Sequence, residues 1–153
     1  MHVDGEPPDS LQQILKIPKR RQHMGNNSCT ITRTVIFSCS GSYNVGQIAN
    51  QAALDLQQEG VAPMLCLSAV ASQQEDTLTL ARTADRVVGI DGCNRACTKK
   101  NLERAGLHMT DHVIATDLHL AKKPHDGTVD AGAVLRVTNA VKGRLDSIDG
   151  GFG

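Results

Sequence analysis

The sequence has few aromatic side chains and no excess of charge. One Tyr, two Phe and no Trp occur among 153 residues, so the core must be built from aliphatic side chains. This leaves little material for stacking against unpaired bases. Sixteen basic residues balance sixteen acidic ones, and the net charge is zero. The composition therefore offers no argument for a nucleic acid or a charged membrane surface as partner.

Long apolar runs are also missing. No stretch approaches the ~20 apolar residues that a membrane-spanning helix needs, and the first thirty residues contain nothing that resembles a signal peptide. We therefore expect a cytoplasmic protein with no membrane partner. The chain has five cysteines, an odd number. In a reducing compartment we interpret them as free thiols or metal ligands before disulfides.

The composition divides the chain into three parts. Residues 1–30 are rich in Pro, Gly, Gln and charge, and we predict a flexible N-terminal arm. Residues 31–148 are predicted to form a single α/β domain, and residues 149–153 a C-terminal tail. A basic cluster in the arm could contact phosphate or an acidic partner, although a solvated tail is the commoner explanation. The cluster consists of Lys16, Lys19, Arg20 and Arg21.

Within the domain, short apolar segments alternate with segments of helical periodicity. The predicted strands cover 34–39, 62–67, 86–91 and 112–117, and the helices 45–56, 73–84, 94–105 and a last one ending near 145. Helix-end residues fit this pattern: Ser42 or Asn44 and Thr128 or Asp130 as N-caps, Gly60 and Gly106 as stops. The alternation predicts a three-layer α/β/α fold around a parallel sheet of about four strands, flavodoxin-like or Rossmann-like. An exposed sheet edge leaves an oligomer possible.

Three cysteines end three of the predicted strands. Cys39, Cys66 and Cys93 are equally spaced, as one thiol per βα unit would be. Parallel strands end at one edge of a sheet, where ligands bind. Neighbouring strands are ~4.8 Å apart, so the sulfurs could lie ~2.3 Å from a shared ion. Cys97 would join them if a helix begins at Asn94, because positions four apart share a helix face. We predict that these four cysteines bind one metal ion, with zinc the first choice.

Other uses of the same thiols remain open. Four cysteines can also hold an iron–sulfur cluster. A redox or metalloid-handling enzyme could use Cys93 as nucleophile and Cys97 as the thiol that resolves it. A vacant metal position could bind a small thiol. The loop over 39–46 could bind an anion, but Val45 stands where a phosphate-transfer enzyme would want an arginine.

Several polar residues are predicted to lie near the cysteines. Asp91 and Asp117 follow strands, where they could orient ligands, act as bases or cap turns. His119 and His125 could replace a cysteine ligand, although loop histidines are more often unliganded. Lys122 is either solvent-exposed or offsets the negative charge of a thiolate site.

Taken together, these motifs resemble the DGC-domain family, named after the tripeptide that stands here as Asp91-Gly92-Cys93. The similar segments are Cys39-Ser40-Gly41, Asn44-Val45-Gly46-Gln47, Cys66-Leu67, Cys97, and Thr116-Asp117 leading towards Lys122. The resemblance covers about Val35 to Lys123. The family is described as a candidate zinc-binding domain because of its four cysteines, all present here. The resemblance thus implies zinc as ligand and implies no particular biological role.

Overall fold

The computed structural model describes residues 33–147, so the predicted arm over 1–30 and the tail over 149–153 lie outside the described residues. Three strands are present: β1 (Thr34–Ser38), β2 (Arg86–Asp91) and β3 (Asp111–Ile114). The α-helices are α1 (Asn44–Gln58), α2 (Leu67–Ala71), α3 (Glu75–Arg82), α4 (Cys97–Arg104) and α5 (Ala131–Asp146). A 3-10 helix covers Ala115–Leu118. In the described part of the chain, no helix is long and apolar enough to cross a membrane.

The strands form one open parallel sheet in the order β1-β2-β3. Ile36 lies opposite Val88, and Ile90 lies opposite Val113. Side chains of β1 alternate between two apolar clusters, as the two-residue period of a strand requires. Ile36 packs with residues of α1 and α5, whereas Phe37 packs with residues of α3 and α4. The α/β prediction is therefore confirmed, with three strands in the described residues.

The predicted strand over 62–67 is reduced to a single bridge. Met64 pairs with Ile36 in parallel. The bridge is held by the Ile36 N–H on the Pro63 oxygen at 2.9 Å and by the Leu65 N–H on the Ile36 oxygen at 2.8 Å. Proline has no N–H to extend the ladder, and helix α2 begins only two residues beyond Leu65. Too few extended residues remain for a fourth strand.

The strand predicted over 112–117 is also shorter than expected. It ends at Ile114, and the chain turns into the 3-10 helix that contains Thr116 and Asp117. The helix predicted over 73–84 is present as α3, while the short helix α2 was not predicted.

The predicted helix ends are partly confirmed. Gly60 follows α1 with φ +72°, a left-handed conformation that glycine adopts readily. At the start of α5, Asp130 Oδ1 accepts hydrogen bonds from the N–H groups of Gly132 at 2.8 Å and Ala133 at 3.1 Å. The N-cap prediction for α1 is wrong, because Tyr43 takes that position and its side chain makes no capping hydrogen bond.

Replacing Asp130 with Ala should lower the free energy of unfolding by about 1 kcal/mol, because two N–H groups at the start of α5 lose their side-chain acceptor. Urea denaturation followed by circular dichroism measures the change. Asp130→Asn is the matched control, because an asparagine oxygen caps a helix nearly as well. Equal stability of the Ala variant and the wild type would contradict the capping role.

Candidate functional site

Cys39 lies at the carboxyl end of β1 and is almost completely buried, with 9% of its surface exposed. Its N–H donates to the Ile90 oxygen at 3.0 Å, which keeps the residue attached to β2 after β1 has ended. Its sulfur accepts a hydrogen bond from the N–H of Gly92 at 3.0 Å. These hydrogen bonds to Ile90 and Gly92 therefore hold Cys39 beside the segment Asp91-Gly92-Cys93.

Burial raises the pKa of the Cys39 thiol to about 11, and the Gly92 N–H acts in the opposite direction. The negative charges of Asp91, Cys97 and Cys93 raise this pKa further. Cys39 is thus a neutral thiol at pH 7. The hydrogen bond to Cys39 comes from the residue that directly precedes Cys93, so the Cys39 sulfur lies next to the turn that carries Cys93.

Gly92 brings this segment into contact with α1. A Cβ atom at Gly92 would lie 2.7 Å from the carbonyl carbon and oxygen of Val45 and 2.8 Å from the nitrogen of Gly46. No side chain fits at such distances, so the backbone approach requires glycine. This close approach places the residues on either side of Gly92 against the first turn of α1.

The carboxylate of Asp91 is buried, with 1% of the residue exposed. It accepts hydrogen bonds from the N–H groups of Thr98 at 2.8 Å and Lys99 at 3.3 Å. Nε2 of His112 lies 2.8 Å from the same carboxylate. Asp91 therefore caps α4 from the end of β2, where it satisfies N–H groups that lack partners within the helix. His112 was not predicted as part of the site, although a polar side chain directly before the apolar pair Val113 and Ile114 was an available indication.

Helix α4 begins at Cys97, so the predicted start at Asn94 is wrong. Ala96 adopts a left-handed conformation, φ +51°, and its N–H donates to the Cys93 oxygen at 3.0 Å. Cys93 therefore lies in a turn before the helix, and the two thiols do not share a helix face. A left-handed alanine costs about 1–2 kcal/mol, which the capping by Asp91 helps to offset. Cys93 is half-buried and Cys97 is exposed.

Cys66 is exposed and lies at the N-cap of α2. It follows the bridge to β1, so it lies towards the carboxyl edge of the sheet. Among residues 33–147, no three His, Cys, Asp or Glu side chains are arranged so that they could hold a metal ion. Thiols are suitable zinc ligands, but their present arrangement does not fit a zinc ion without movement.

Lys122 lies beside Cys93. Its Nζ donates to Cys93 Sγ at 3.5 Å and lies 4.2 Å from the centroid of the Tyr43 ring. An ammonium group over an aromatic face gains a favourable cation–π interaction. The lysine is thus held between a ring and a sulfur atom. Tyr43 was not predicted from the sequence to contact a site residue.

The loop that carries Lys122 is tied to the start of α1 by Asn44. The Asn44 side chain donates to the Ala121 oxygen at 2.9 Å and accepts from the Lys123 N–H at 2.8 Å. The Asn44 N–H donates to the Lys123 oxygen at 3.0 Å. These bonds explain why Asn44 does not cap its own helix. Two loops that are distant in the sequence are thereby joined beside Cys93.

The remaining predicted polar residues lie in the segment after β3, whose Thr116 N–H donates to the Gly92 oxygen at 3.2 Å. Asp117 and His119 are exposed, and His119 ends the 3-10 helix with φ +59°. His125 is partly buried, and its N–H donates to the Ser42 oxygen at 2.9 Å. Its Nδ1 is buried and has no hydrogen-bond partner among the described residues.

Comparisons with known proteins agree with the motifs. A model of the DGC domain matches residues 35–141, which is more than half of the chain. The chain is also similar to the anaerobic and virulence modulator AnvM of Pseudomonas aeruginosa, with 32% identity over 91 residues. That alignment covers 60% of this chain and 64% of the relative, so the chain spans less than two thirds of the relative's length. No solved structure matches the chain.

Gly92→Ala should destabilise the fold by about 1–3 kcal/mol, because the added methyl group meets the backbone of α1. The control is Gly143→Ala within α5, where a Cβ would meet no atom within 4 Å. That substitution should stabilise the fold by up to about 1 kcal/mol, because alanine is the better helix former. Urea titration of both variants distinguishes them, and a shift of the same sign in both would contradict the close approach at Gly92.

Proposed function

Since the chain belongs to the DGC-domain family, we propose that it functions by binding one zinc ion through the cysteines at the carboxyl edge of its sheet. The observation that carries the proposal is the hydrogen bond from the Gly92 N–H to Cys39 Sγ at 3.0 Å, which holds the Cys39 sulfur next to the residue that precedes Cys93. Thiolates are preferred zinc ligands, and a divalent cation offsets their mutual repulsion. Cys66 is the proposed fourth ligand. Zinc held by four thiolates forms a closed site suited to structure, storage or delivery.

Binding requires this edge of the protein to rearrange. Cys39 has to lose a proton that its buried position favours, and the thiols of Cys66, Cys93 and Cys97 have to approach it. The turn between Gly92 and Cys97 is the segment we expect to move, because Ala96 already holds a costly backbone conformation there. Metal binding and local ordering are then coupled, as is common in small metal-binding domains.

Three further assignments belong to this proposal. The alternation of β1 side chains between two apolar clusters supports a three-layer flavodoxin-like arrangement of the 31–148 domain.

Free thiols favour a cytoplasmic location, where they are kept reduced. The relative's name describes a modulator, which favours a regulatory use of the site over an enzymatic one.

Chain purified without added chelator under reducing, anaerobic conditions should contain about one zinc ion per chain, by analogy with closed four-thiolate sites. Elemental analysis measures the content. Ser substitution of Cys39, Cys66, Cys93 or Cys97 should each reduce it, because each removes a ligand.

Cys29→Ser is the matched control, because Cys29 lies outside the DGC match, and it should retain the metal. Visible absorbance with bound iron would instead indicate an iron–sulfur cluster. Wild-type protein without stoichiometric zinc after incubation with the ion would contradict the proposal.

A second candidate function is thiol–disulfide exchange, and the contact between Lys122 and Cys93 favours it. The Cys93 thiolate would attack a small-molecule disulfide, forming a mixed disulfide and releasing one thiol. The Cys97 thiolate would then attack the Cys93 sulfur, release the second thiol and leave a Cys93–Cys97 disulfide. Two cysteine thiols are oxidised and one external disulfide is reduced, with the two protons passing to the released thiols.

In metal-free protein, Lys122→Met should slow iodoacetamide alkylation of Cys93 by about twofold to fivefold, because an exposed cation next to the sulfur is lost. Lys122→Arg should retain most of the rate. Lys123→Met is the matched control, because Lys123 lies near Asp126 instead, with 3.9 Å between Nζ and Oδ2. Mass spectrometry of the peptide containing Cys93 gives the rates, and equal rates in all four proteins would rule out a role for Lys122.

A further inference from the structure

An open groove lies between α1 and α5, and no cysteine lines it. Its volume is about 510 Å³. One side presents apolar side chains, with Leu135 57% exposed and Val129 40% exposed. The other side presents the carboxylates of Asp55 in α1 and of Glu59, which directly follows α1. The groove is therefore apolar along one wall and acidic along the other.

The charge in the groove is only partly compensated. Glu59 forms an ion pair with Lys142 of α5. Asp55 accepts a hydrogen bond from the Gln51 side-chain amide at 2.8 Å, and that amide is neutral. The carboxylate of Asp55 thus adds a negative charge beside exposed apolar surface. A peptide with apolar side chains next to basic ones would complement both walls.

The chain itself contains such a peptide. Four apolar residues, Leu11, Ile14, Leu15 and Ile17, are interleaved with or followed by four basic ones, Lys16, Lys19, Arg20 and Arg21. Of these, Leu11, Ile14 and Leu15 have the spacing of one helix face, and Pro18 would end a helix there. The segment lies outside the described residues, and no part of the zinc proposal uses it.

The position of β1 makes this segment a feasible occupant. The described chain begins at Arg33, at the amino edge of the sheet, where its N–H donates to Asp85 at 2.7 Å. Helix α1 returns the chain to that same edge, since the bridge at Met64 is parallel to β1. Glu59 follows the last residue of α1, so its end of the groove is near this edge. Residues 22–32 can span up to roughly 35 Å, which is enough to reach the groove.

We propose that residues 11–21 of this chain bind in the groove between α1 and α5. Their apolar side chains contact Val129 and Leu135, and their basic side chains face Asp55. The groove then receives an apolar cover that the described residues do not supply, and the basic cluster of the arm acquires an acidic partner. The interaction is independent of metal binding, because none of the cysteines takes part.

Limited trypsin digestion of the full-length protein tests the proposal, because trypsin cleaves after the basic residues of the arm. Leu135→Asp should increase the rate of cleavage between Lys16 and Gln22 by about tenfold, because cleavage follows the population of the released segment. Asp55→Lys should increase it as well. Asn139→Asp is the matched control, since it adds the same charge to an exposed position of α5 outside the groove, and its rate should equal that of the wild type.

Thermal melting followed by circular dichroism identifies variants whose faster cleavage results from unfolding. Cleavage rates are compared only for variants that melt like the wild type. If neither Leu135→Asp nor Asp55→Lys changes the cleavage rate, the proposal is wrong. Slow trypsin cleavage of the wild-type arm that becomes fast on dilution would also overturn the proposal, because the groove would then bind the arm of a second copy. Slow cleavage that is independent of protein concentration and becomes faster with added salt supports the binding of the chain's own basic segment.

Discussion

The turn that carries Cys93 depends on the hydrogen bonds of the buried Asp91 carboxylate. It ends β2, accepts hydrogen bonds from two N–H groups at the start of α4, and pairs with His112 of β3. A carboxylate in a nearly water-free position is tolerated only when such partners surround it. Because the same side chain holds both the strand and the helix, it fixes the two ends of the turn that carries Cys93. Removing it would release the thiols of this turn as well as the helix start.

Close packing makes the second contribution to the site. The first turn of α1 lies against the backbone of Gly92, and this contact orients the Gly92 N–H towards Cys39 Sγ. From the other end of the same turn, Asn44 binds the loop that contains Lys122. The start of α1 therefore contacts both the Gly92 backbone and the loop that contains Lys122, which are segments far apart in the sequence.

The features predicted correctly from the sequence depend on local pattern, and two of the errors depend on side-chain contacts that this pattern does not contain. Apolar runs identified β1, β2 and most of β3, and Asp130 capped its helix as predicted. The predicted start of α4 was wrong because Asp91 caps the helix across a turn. The periodicity of apolar residues gives no information about the geometry of that turn. Asn44 was misassigned because its hydrogen-bond partners lie more than seventy residues away. The strand at 62–67 failed because a proline and an early helix shortened it, and both were visible in the sequence.

Electrostatics explains why a cation is favourable at the carboxyl edge of the sheet for either proposed function. Asp91 and the cysteine thiols bring negative charge, or the capacity for it, to a partly buried place. Burial raises the pKa of Cys39 there, and the nearby negative charges raise it further. The ammonium group of Lys122 partly compensates this charge at Cys93. A metal ion would compensate it more fully, because it carries two charges and binds the sulfur atoms directly. The two proposed functions, zinc binding and thiol activation, are thus alternative responses to one constraint. They require different positions of Lys122, because a lysine in contact with Cys93 favours a reactive thiol, whereas zinc bound to Cys93 would require the lysine to withdraw.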